Sequence, residues 1–391
     1  MVAHAEVWII GFFILIISIF LPFLHYLKCA KSSKKITFPD IMENMPDITI
    51  LLPIKDESIL IEKKLSEILN LDYPKSKLSL LVINSGSTDG SYEISKKFLN
   101  TNFNEISWKI ENLKKPGKSY AVNMAIEMIN TDIFIMMDAE SQLNNNCLKK
   151  LVRWFSKPEV GGVCGRLETI KSDPEYQYRS RFNILRVGES VQDSTPIFEG
   201  SICAFRKSYL MSKKIDSNIN ADDTQLAMLI RGNNFKAIMD PEVSFSEPFD
   251  IDYSPSRARK IRRAQGLTRA LWKYRNLNYS KGYSYSLIYI SQFYFYIIFP
   301  WLFLFSTSLI SLSIIYQIVF TNLAKWTISN YIYLLPSIFI FFKTPRNLFG
   351  GCIILLQSHL LLLFGKKLNI WNTDSEMRKS IKSKLSDKSN Q

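Results

Sequence analysis

The sequence predicts an α/β domain with a mainly parallel sheet, flanked by membrane-spanning helices at both ends of the chain. Short β-rich runs alternate with longer helical patterns between residues 45 and 282, among them ITILLPI, LSLLVINS and IFIMMDA. Strands separated by helices of roughly ten or more residues form βαβ units, whose helices cover both faces of a sheet. Apolar runs flank this region, and 47% of the chain is hydrophobic.

The N-terminal apolar run has the composition of a membrane anchor. Residues 7–27 carry no charged side chain, and lysines follow at positions 28, 31, 34 and 35. Because basic residues stay on the cytoplasmic side, we expect an anchor over 1–36 and a cytoplasmic domain, in an integral protein of the cell membrane. A cleaved signal peptide is the alternative, but the apolar core is too long, no basic segment precedes it and no small-residue cleavage site follows.

A second membrane region is expected over residues 283–365. Its apolar segments cover 296–320, 331–342 and 349–364. The last two are short for a hydrocarbon core of about 30 Å, so the number of crossings stays open. The basic tail over 366–391 has seven Lys or Arg against three Asp or Glu, which returns the C-terminus to the cytoplasm and favours an even number of crossings.

Charge, histidine and cysteine content argue against several kinds of site. The net charge of +14 is spread along the chain, so we expect no nucleic-acid partner and instead contacts with membrane lipids or phosphate-bearing ligands. The three histidines lie in or beside the apolar ends, which argues against a histidine-built site. The five cysteines are scattered singly without a CxxC pair, as in a reducing compartment.

Two carboxylates follow the buried strand IFIMM. Asp138 and Glu140 are one residue apart at its end. Ligands of parallel α/β sheets bind beyond the carboxyl ends of the strands, and residues two apart on an extended chain point to one side. The pair can therefore bind Mg²⁺ or Mn²⁺ that bridges to a substrate diphosphate. The alternatives are an acidic surface turn or a helix N-cap at Ser141.

Four motifs follow one another in an order found in a known enzyme family. They are LPIKDE at 52–57, LLVINSGSTDGS at 80–91, Gly117-Lys118 and the DAE of 138–140. This order resembles that of the family 2 glycosyltransferases of GT-A fold, whose usual motifs are P-x-Y-N-E, V-D-D-G-S-T-D, G-K-x-x-A-L-N and D-A-D. The resemblance extends over roughly residues 47–270.

The resemblance implies a nucleotide-sugar donor over the first strand ends, with Lys118 near the base or ribose and the metal on Asp138 and Glu140. The implied donor-binding residues are Pro53, Glu57, Asp89, Lys118 and Asp138. Several positions depart from the family's pattern: Lys55 and Asp56 replace Tyr and Asn, and Asn84-Ser85 replace an Asp pair that contacts a uracil-type base. A UDP donor is therefore not implied.

Two later motifs resemble the acceptor side of the same family. EGSICAFRKSYL at 199–210 is similar to its Gly loop, which implies acceptor or diphosphate contacts at Glu199 and Gly200. ADDTQLAML is similar to its E-D-x-x-L helix start, which implies Asp223 as the catalytic base and Asp222 as its acidic neighbour. The alternative for this acidic pair is simple helix capping.

The last block, RARKIRRAQGLTRALW at 257–272, is strongly basic. A basic helix at a membrane entry binds lipid phosphates by default. Aligned on its glycine, the block also resembles the family's Q-R-x-R-W-x-x-G, which implies that Lys260 and Arg262 contact the diphosphate. Arg259 and Arg263 replace the Gln and Trp that hold the acceptor in polymerising synthases, which argues against a processive enzyme.

Together these features predict an inverting, metal-dependent glycosyltransferase that acts at the cytoplasmic face on a lipid-linked or membrane-delivered glycan acceptor. A processive polysaccharide synthase of the same fold is the alternative within the class. A nucleotidyltransferase would need a Gly-rich loop near the first strand, where LPIKDES has no glycine. A non-catalytic scaffold or transporter component is the alternative of another class, although a transporter needs ionisable residues within its spans, where His359 alone qualifies.

Overall fold

The computed structural model describes residues 2–114, 116–168, 176–246, 257–279, 281–320 and 343–368. The eight strands are β1 Ile48–Ile54, β2 Leu78–Asn84, β3 Ser107–Asn112, β4 Ile133–Met137, β5 Gln142–Leu143, β6 Val160–Leu167, β7 Ile202–Arg206 and β8 Lys236–Ser246. The helices up to the end of the α/β domain are α1 Val2–Ser33, α2 Ile61–Leu69, α3 Ser91–Asn102, α4 Lys118–Met128, α5 Cys147–Val152, α6 Tyr176–Gln192 and α7 Asp222–Gly232. The later helices are α8 Arg257–Lys273, α9 Arg275–Asn278, α10 Tyr283–Phe293, α11 Phe299–Phe320 and α12 Lys343–Leu363.

All eight strands belong to one mixed sheet, in the order β3-β2-β1-β4-β7-β6-β8-β5. Strands β3, β2, β1 and β4 run parallel, as does the β6–β8 pair, whereas β7 is antiparallel to both β4 and β6. The predicted fold class is confirmed. The reversal of β7 is a finding that strand patterns in the sequence do not indicate, and it places the start of β7 beside the end of β4.

The sheet is covered by helices on both faces because its central strands are apolar on both sides. Side chains alternate along a strand, so β1 sends Ile50 and Leu52 into one hydrophobic cluster and Leu51 into the other. Helices α2, α3 and α5 close the first cluster, and α4 and α7 close the second. The polar residues that follow the strands therefore lie at one edge of a sheet that is packed between helices.

Helix α1 packs directly on the α/β domain through α6. At Gly188 the two backbones come so close that an added Cβ would lie 2.1 Å from the carbonyl oxygen of Cys29. Next to it, Glu189 is fully buried and accepts hydrogen bonds at one oxygen from Gln292 and at the other from Thr195, while His25 of α1 lies 2.9 Å away. This network joins α1, α6 and α10.

Two helical stretches are long and apolar enough to cross a membrane by length and composition, Glu6–Ser33 and Tyr283–Phe320. The second is interrupted by one π-helical turn, Tyr294–Ile298. Residues 347–363 form a shorter apolar helix. The apolar segment 331–342 and the tail beyond residue 368 lie outside the described residues, so the crossing number and the domain boundaries stay predictions.

Helix α8 is held against the loop that precedes α7. An added Cβ on Gly266 would lie 2.1 Å from the carbonyl oxygen of Asn220, so a larger residue there would push the helix away. Gln265 donates to the carbonyl oxygens of Ser358 and Lys366 and accepts from the backbone N–H of Leu368. The basic helix α8 is thereby fixed next to the carboxyl edge of the sheet.

Candidate active site

The two carboxylates Asp138 and Glu140 lie at the carboxyl end of β4, in the middle of the sheet. The N–H of Asp138 donates to the carbonyl oxygen of Ser201 over 3.1 Å, because antiparallel β7 begins alongside. The loop with Glu199 and Gly200 therefore borders the same edge. Ser141 precedes the short strand β5 rather than a helix, which excludes the helix N-cap reading of this turn.

Lys118 forms the electrostatic centre of the site. It is the first residue of α4, after Gly117, whose φ of +145° favours glycine. Its ammonium lies 2.7 Å from Asp138 Oδ1 and 3.5 Å from Asp222 Oδ2. Burial favours the neutral amine, but the charges of these two carboxylates hold the pKa of Lys118 above its usual value. The structure places this ammonium between two acidic side chains, and the position near the base or ribose that the resemblance implies stays a prediction.

Asp222 and Asp223 are the first two residues of α7. The N-cap position is Ala221, so neither carboxylate acts as the cap of this helix. Asp223 lies against the acceptor-side loop: a Cβ added to Gly200 would be 3.1 Å from Asp223 Oδ2. Burial, with the neighbouring charge of Asp222, raises the pKa of Asp223 to about 7, although Lys118 opposes the shift. A carboxyl with this pKa can accept a proton near neutral pH.

The loops after β1 and β2 are tied to each other. Asp89 accepts hydrogen bonds from the N–H of Ser58 over 2.9 Å and from the N–H and hydroxyl of Ser91. Burial favours the neutral acid, yet these hydrogen bonds hold the pKa of Asp89 below its usual value. The N–H of Glu57 donates to Ser91 Oγ over 2.7 Å, and Pro53 is buried within β1. Glu57 and Asp89 thus lie together, with Asp89 bracing the two loops.

At the positions of the family's Asp pair, Asn84 and Ser85 make internal contacts. Asn84 donates to Asn112 Oδ1 over 2.8 Å and accepts from the N–H and hydroxyl of Ser87. Ser85 accepts from the N–H of Gly117 over 2.8 Å, which joins the β2 loop to the start of α4. Ser85 therefore supports the segment that carries Lys118, whereas Asn84 holds its own loop through Ser87.

On the acceptor side, the carboxylate of Glu199 is ion-paired with Arg186 of α6. Lys260 and Arg262 lie on α8, one turn or more before Gly266, which is the residue where α8 approaches the loop before α7. Burial lowers the pKa of Arg262, as do the nearby charges of Arg263 and Arg259, while the negative charges of Glu140 and Asp222 oppose this. Arg262 is therefore within electrostatic reach of both carboxylate groups of the site.

The carboxylates at this edge have the chemistry of a site for Mg²⁺ or Mn²⁺. Asp138 and Glu140 supply hard oxygen donors. Asp222 Oδ2 is buried, accepts no hydrogen bond within the described ranges, and has an ammonium at 3.5 Å. In the described part of the chain, no group of three or more His, Cys, Asp or Glu side chains is placed to hold a metal ion by itself. Asp138 and Glu140 would therefore hold a divalent cation only together with oxygens that the protein does not supply, such as those of a diphosphate or water.

Two residues that support the site are not identified by the sequence motifs. Arg186 carries the ion pair with Glu199, and Lys64 of α2 lies beneath the turn of Asp138 and Glu140, where its ammonium donates to Ser141. For Lys64 a signal exists in the sequence. A lysine occupies the register of buried Ile61, Leu65 and Ile68 on an amphipathic helix, where an apolar residue is expected.

Comparison with known proteins agrees with this geometry. The profile of the family described as Glycosyl transferase family 2 matches residues 49–212, and the one described as Glycosyl transferase family group 2 matches residues 133–343. The chain is similar to the mannosyltransferase PcManGT from Pyrobaculum calidifontis, solved in complex with GDP-Man and Mn²⁺. Their TM-score is 0.78 at 25% sequence identity, over 92% of this chain and 99% of that one.

Curated relatives match over shorter stretches. The probable glycosyltransferase YdaM of Bacillus subtilis is 28% identical over 160 residues, or 38% of this chain and 36% of that protein. A poly-beta-1,6-N-acetyl-D-glucosamine synthase of Staphylococcus aureus is 25% identical over 210 residues, or 51% of this chain and 47% of the synthase. The chain thus spans less than half the length of these relatives. One family profile nevertheless covers more than half of the chain, which therefore belongs to the family 2 group of glycosyltransferases.

Proposed function

We propose that the chain transfers a sugar from a nucleotide-diphosphate sugar to an acceptor hydroxyl, with a divalent metal and with inversion at the anomeric carbon. The observation that carries this proposal is the convergence of Lys118, Asp138 and Asp222 next to Asp223, with Asp223 against Gly200. A cation-binding carboxylate set lies beside a separate carboxyl whose pKa is about 7. Diphosphate binding and proton removal would thus occur at neighbouring points.

The donor would lie over the ends of β1 and β2, near Pro53, Glu57 and Asp89. Asp138 and Glu140 would hold Mg²⁺ or Mn²⁺, and such an ion neutralises charge on a leaving nucleoside diphosphate. Lys118 and Arg262 add positive charge at the same edge. GDP-mannose is the first donor to test because the similar PcManGT structure contains it. Asn84 and Ser85 lack the carboxylates that would favour a uracil-type base.

Asp223 would act as the general base. Its carboxylate would take the proton of an acceptor hydroxyl bound near Glu199 and Gly200, while that oxygen attacks the anomeric carbon opposite the leaving diphosphate. The charge of neighbouring Asp222 raises the pKa of Asp223 and so favours proton uptake there. A single in-line displacement of this kind inverts the configuration of the transferred sugar.

The acceptor is proposed to be a lipid-linked or membrane-delivered glycan at the cytoplasmic face. Support comes from the packing of α1 on α6 next to the Glu199 loop, and from the lysines that follow the apolar part of α1. The processive alternative is supported by the similarity to the staphylococcal synthase. Against it, Arg259 and Arg263 stand where polymerising enzymes of this family have Gln and Trp.

The anomeric configuration of the first product tests the proposed displacement. GDP-α-D-mannose and UDP-α-N-acetylglucosamine are incubated with the detergent-purified protein and Mn²⁺, with water as the acceptor. Proton NMR follows the anomeric signals before mutarotation. We expect the β-anomer of one of the two sugars to appear first, and none with Asp223→Asn. Initial formation of the α-anomer would contradict the inverting mechanism.

A further inference from the structure

Lys64 is a buried cation that the proposed chemistry does not use. It lies on α2 with Ile61, Leu65 and Ile68, all on the face that packs against the sheet, and it is 1% exposed. Transfer of an ammonium group out of water is costly unless the charge is paired and hydrogen-bonded. A lysine in this register must therefore make contacts that an apolar side chain would not.

Its contacts all involve the turn that follows β4, or a residue that also holds that turn. The ammonium donates to the carbonyl oxygen of Ser141 over 2.7 Å, to Ser141 Oγ over 3.2 Å and to Glu67 Oε1 over 3.4 Å. These three acceptors match the three protons of an ammonium group. Glu67 Oε1 in turn accepts from the N–H of Leu143 over 2.8 Å. Side chains of helix α2 therefore form hydrogen bonds with residues 141 and 143.

Ser141 connects these hydrogen bonds to the turn that carries Asp138 and Glu140. Its N–H donates to the carbonyl oxygen of Asp138 over 3.3 Å, and its hydroxyl donates to the same oxygen over 2.8 Å. Ser141 is 1% exposed, so these hydrogen bonds are shielded from water. The turn with Asp138 and Glu140 is thus closed on one side by Ser141 and held in place from below by Lys64.

We propose that Lys64 is a positioning residue, which fixes the turn of residues 138–141 so that Asp138 and Glu140 present their carboxylates together to a divalent cation and a diphosphate. Lys64 touches neither ligand itself. Its positive charge beneath the turn also favours two carboxylates at close range. The inference rests on the proposed donor site for its ligand, but the fixing of the turn is independent of any ligand.

The test compares Lys64→Met with Leu65→Ala in the detergent-purified chain of 391 residues. Methionine keeps an unbranched apolar chain and removes the ammonium, whereas Leu65→Ala is a matched control because Leu65 is a fully buried neighbour on the same helix with no polar contact to the turn. Hydrogen exchange of the amides over residues 138–143 is measured without ligand. We expect these amides to exchange faster in Lys64→Met than in the unmodified protein. In Leu65→Ala, we expect their exchange to increase no more than that of the other amides of the sheet.

The second readout is Mn²⁺ affinity in the presence of GDP or UDP, followed by electron paramagnetic resonance of free Mn²⁺. Loss of a residue that orients metal ligands typically weakens metal binding by roughly 10- to 100-fold, and we expect a loss of this size for Lys64→Met alone. Unchanged exchange in Lys64→Met overturns the inference whatever the protein binds. Faster exchange with unchanged Mn²⁺ affinity overturns its functional part. Absence of Mn²⁺-nucleotide binding in the unmodified protein contradicts the proposed donor site instead.

Discussion

Replacement of Asp223 by Asn is expected to remove sugar transfer while donor binding stays intact. The amide has nearly the same shape and can remain against Gly200, but it cannot accept the proton of an attacking hydroxyl. Loss of a general base typically lowers the rate by roughly 10²- to 10⁴-fold. Transfer rates and donor affinity are measured separately, and Asp216→Asn, which alters the exposed ion pair with Lys273, is the control. Near-normal turnover in Asp223→Asn would show that another group is the base.

The pH dependence of the transfer rate of the unmodified protein is a second test of the role of Asp223. Because the pKa of Asp223 is raised to about 7, the charged form that can act as a base predominates only above that pH. We expect the transfer rate to rise about tenfold per pH unit below about pH 7 and to level off above it. A rate that stays constant from pH 5 to pH 8 would contradict the assignment of Asp223, since an ordinary aspartate is already ionised at pH 5.

Replacement of Asp138 by Ala is expected to abolish Mn²⁺-dependent binding of the nucleotide. The change removes one of the two carboxylates at the end of β4 and leaves Lys118 with Asp222 as its one remaining close carboxylate within the described residues. We expect a loss larger than the roughly 10- to 100-fold typical of residues that only orient metal ligands. Calorimetric titration of GDP and of UDP, each with and without Mn²⁺, measures it.

The chain offers a matched control for this experiment. Asp132 precedes the same strand at its opposite end and is also ion-paired, with Arg206 at 2.8 Å. Asp132→Ala therefore removes a comparable carboxylate and ion pair far from the carboxyl edge. Equal Mn²⁺ affinity of Asp138→Ala and Asp132→Ala would move the metal site away from the end of β4.

Much of the site was predictable because strand direction decides where polar side chains meet. Asp138 follows a fully buried apolar strand, and the carboxyl ends of parallel strands share one edge, so Glu57, Asp89 and Asp138 were expected there. The structure also brings together Gly200 and Asp223, which lie in the two motifs that resemble the family's acceptor side. Their roles in binding and catalysis remain predictions.

Other features depend on contacts between distant parts of the chain, which no local pattern specifies. The ammonium of Lys118 lies between residues 20 and 104 positions further along, and its place follows from how α4 and α7 converge. The apolar residues of β7 do not indicate that it runs antiparallel to β4 and β6. Lys64 is recognisable in the sequence as a lysine among the apolar positions of an amphipathic helix. Its partner Ser141 is evident only from the fold.

The measurement that tests the central claim most directly is a thermal-shift screen of the detergent-purified chain. GDP-, UDP- and CMP-linked sugars are added separately, each with and without Mn²⁺. A ligand present at about 100 times its Kd stabilises the folded protein by about 2.7 kcal/mol, which raises the Tm measurably. We predict a Mn²⁺-dependent rise with one nucleotide family, which would identify the donor base. Absence of a shift with all of them would contradict a nucleotide-sugar donor site at the carboxyl edge of this sheet.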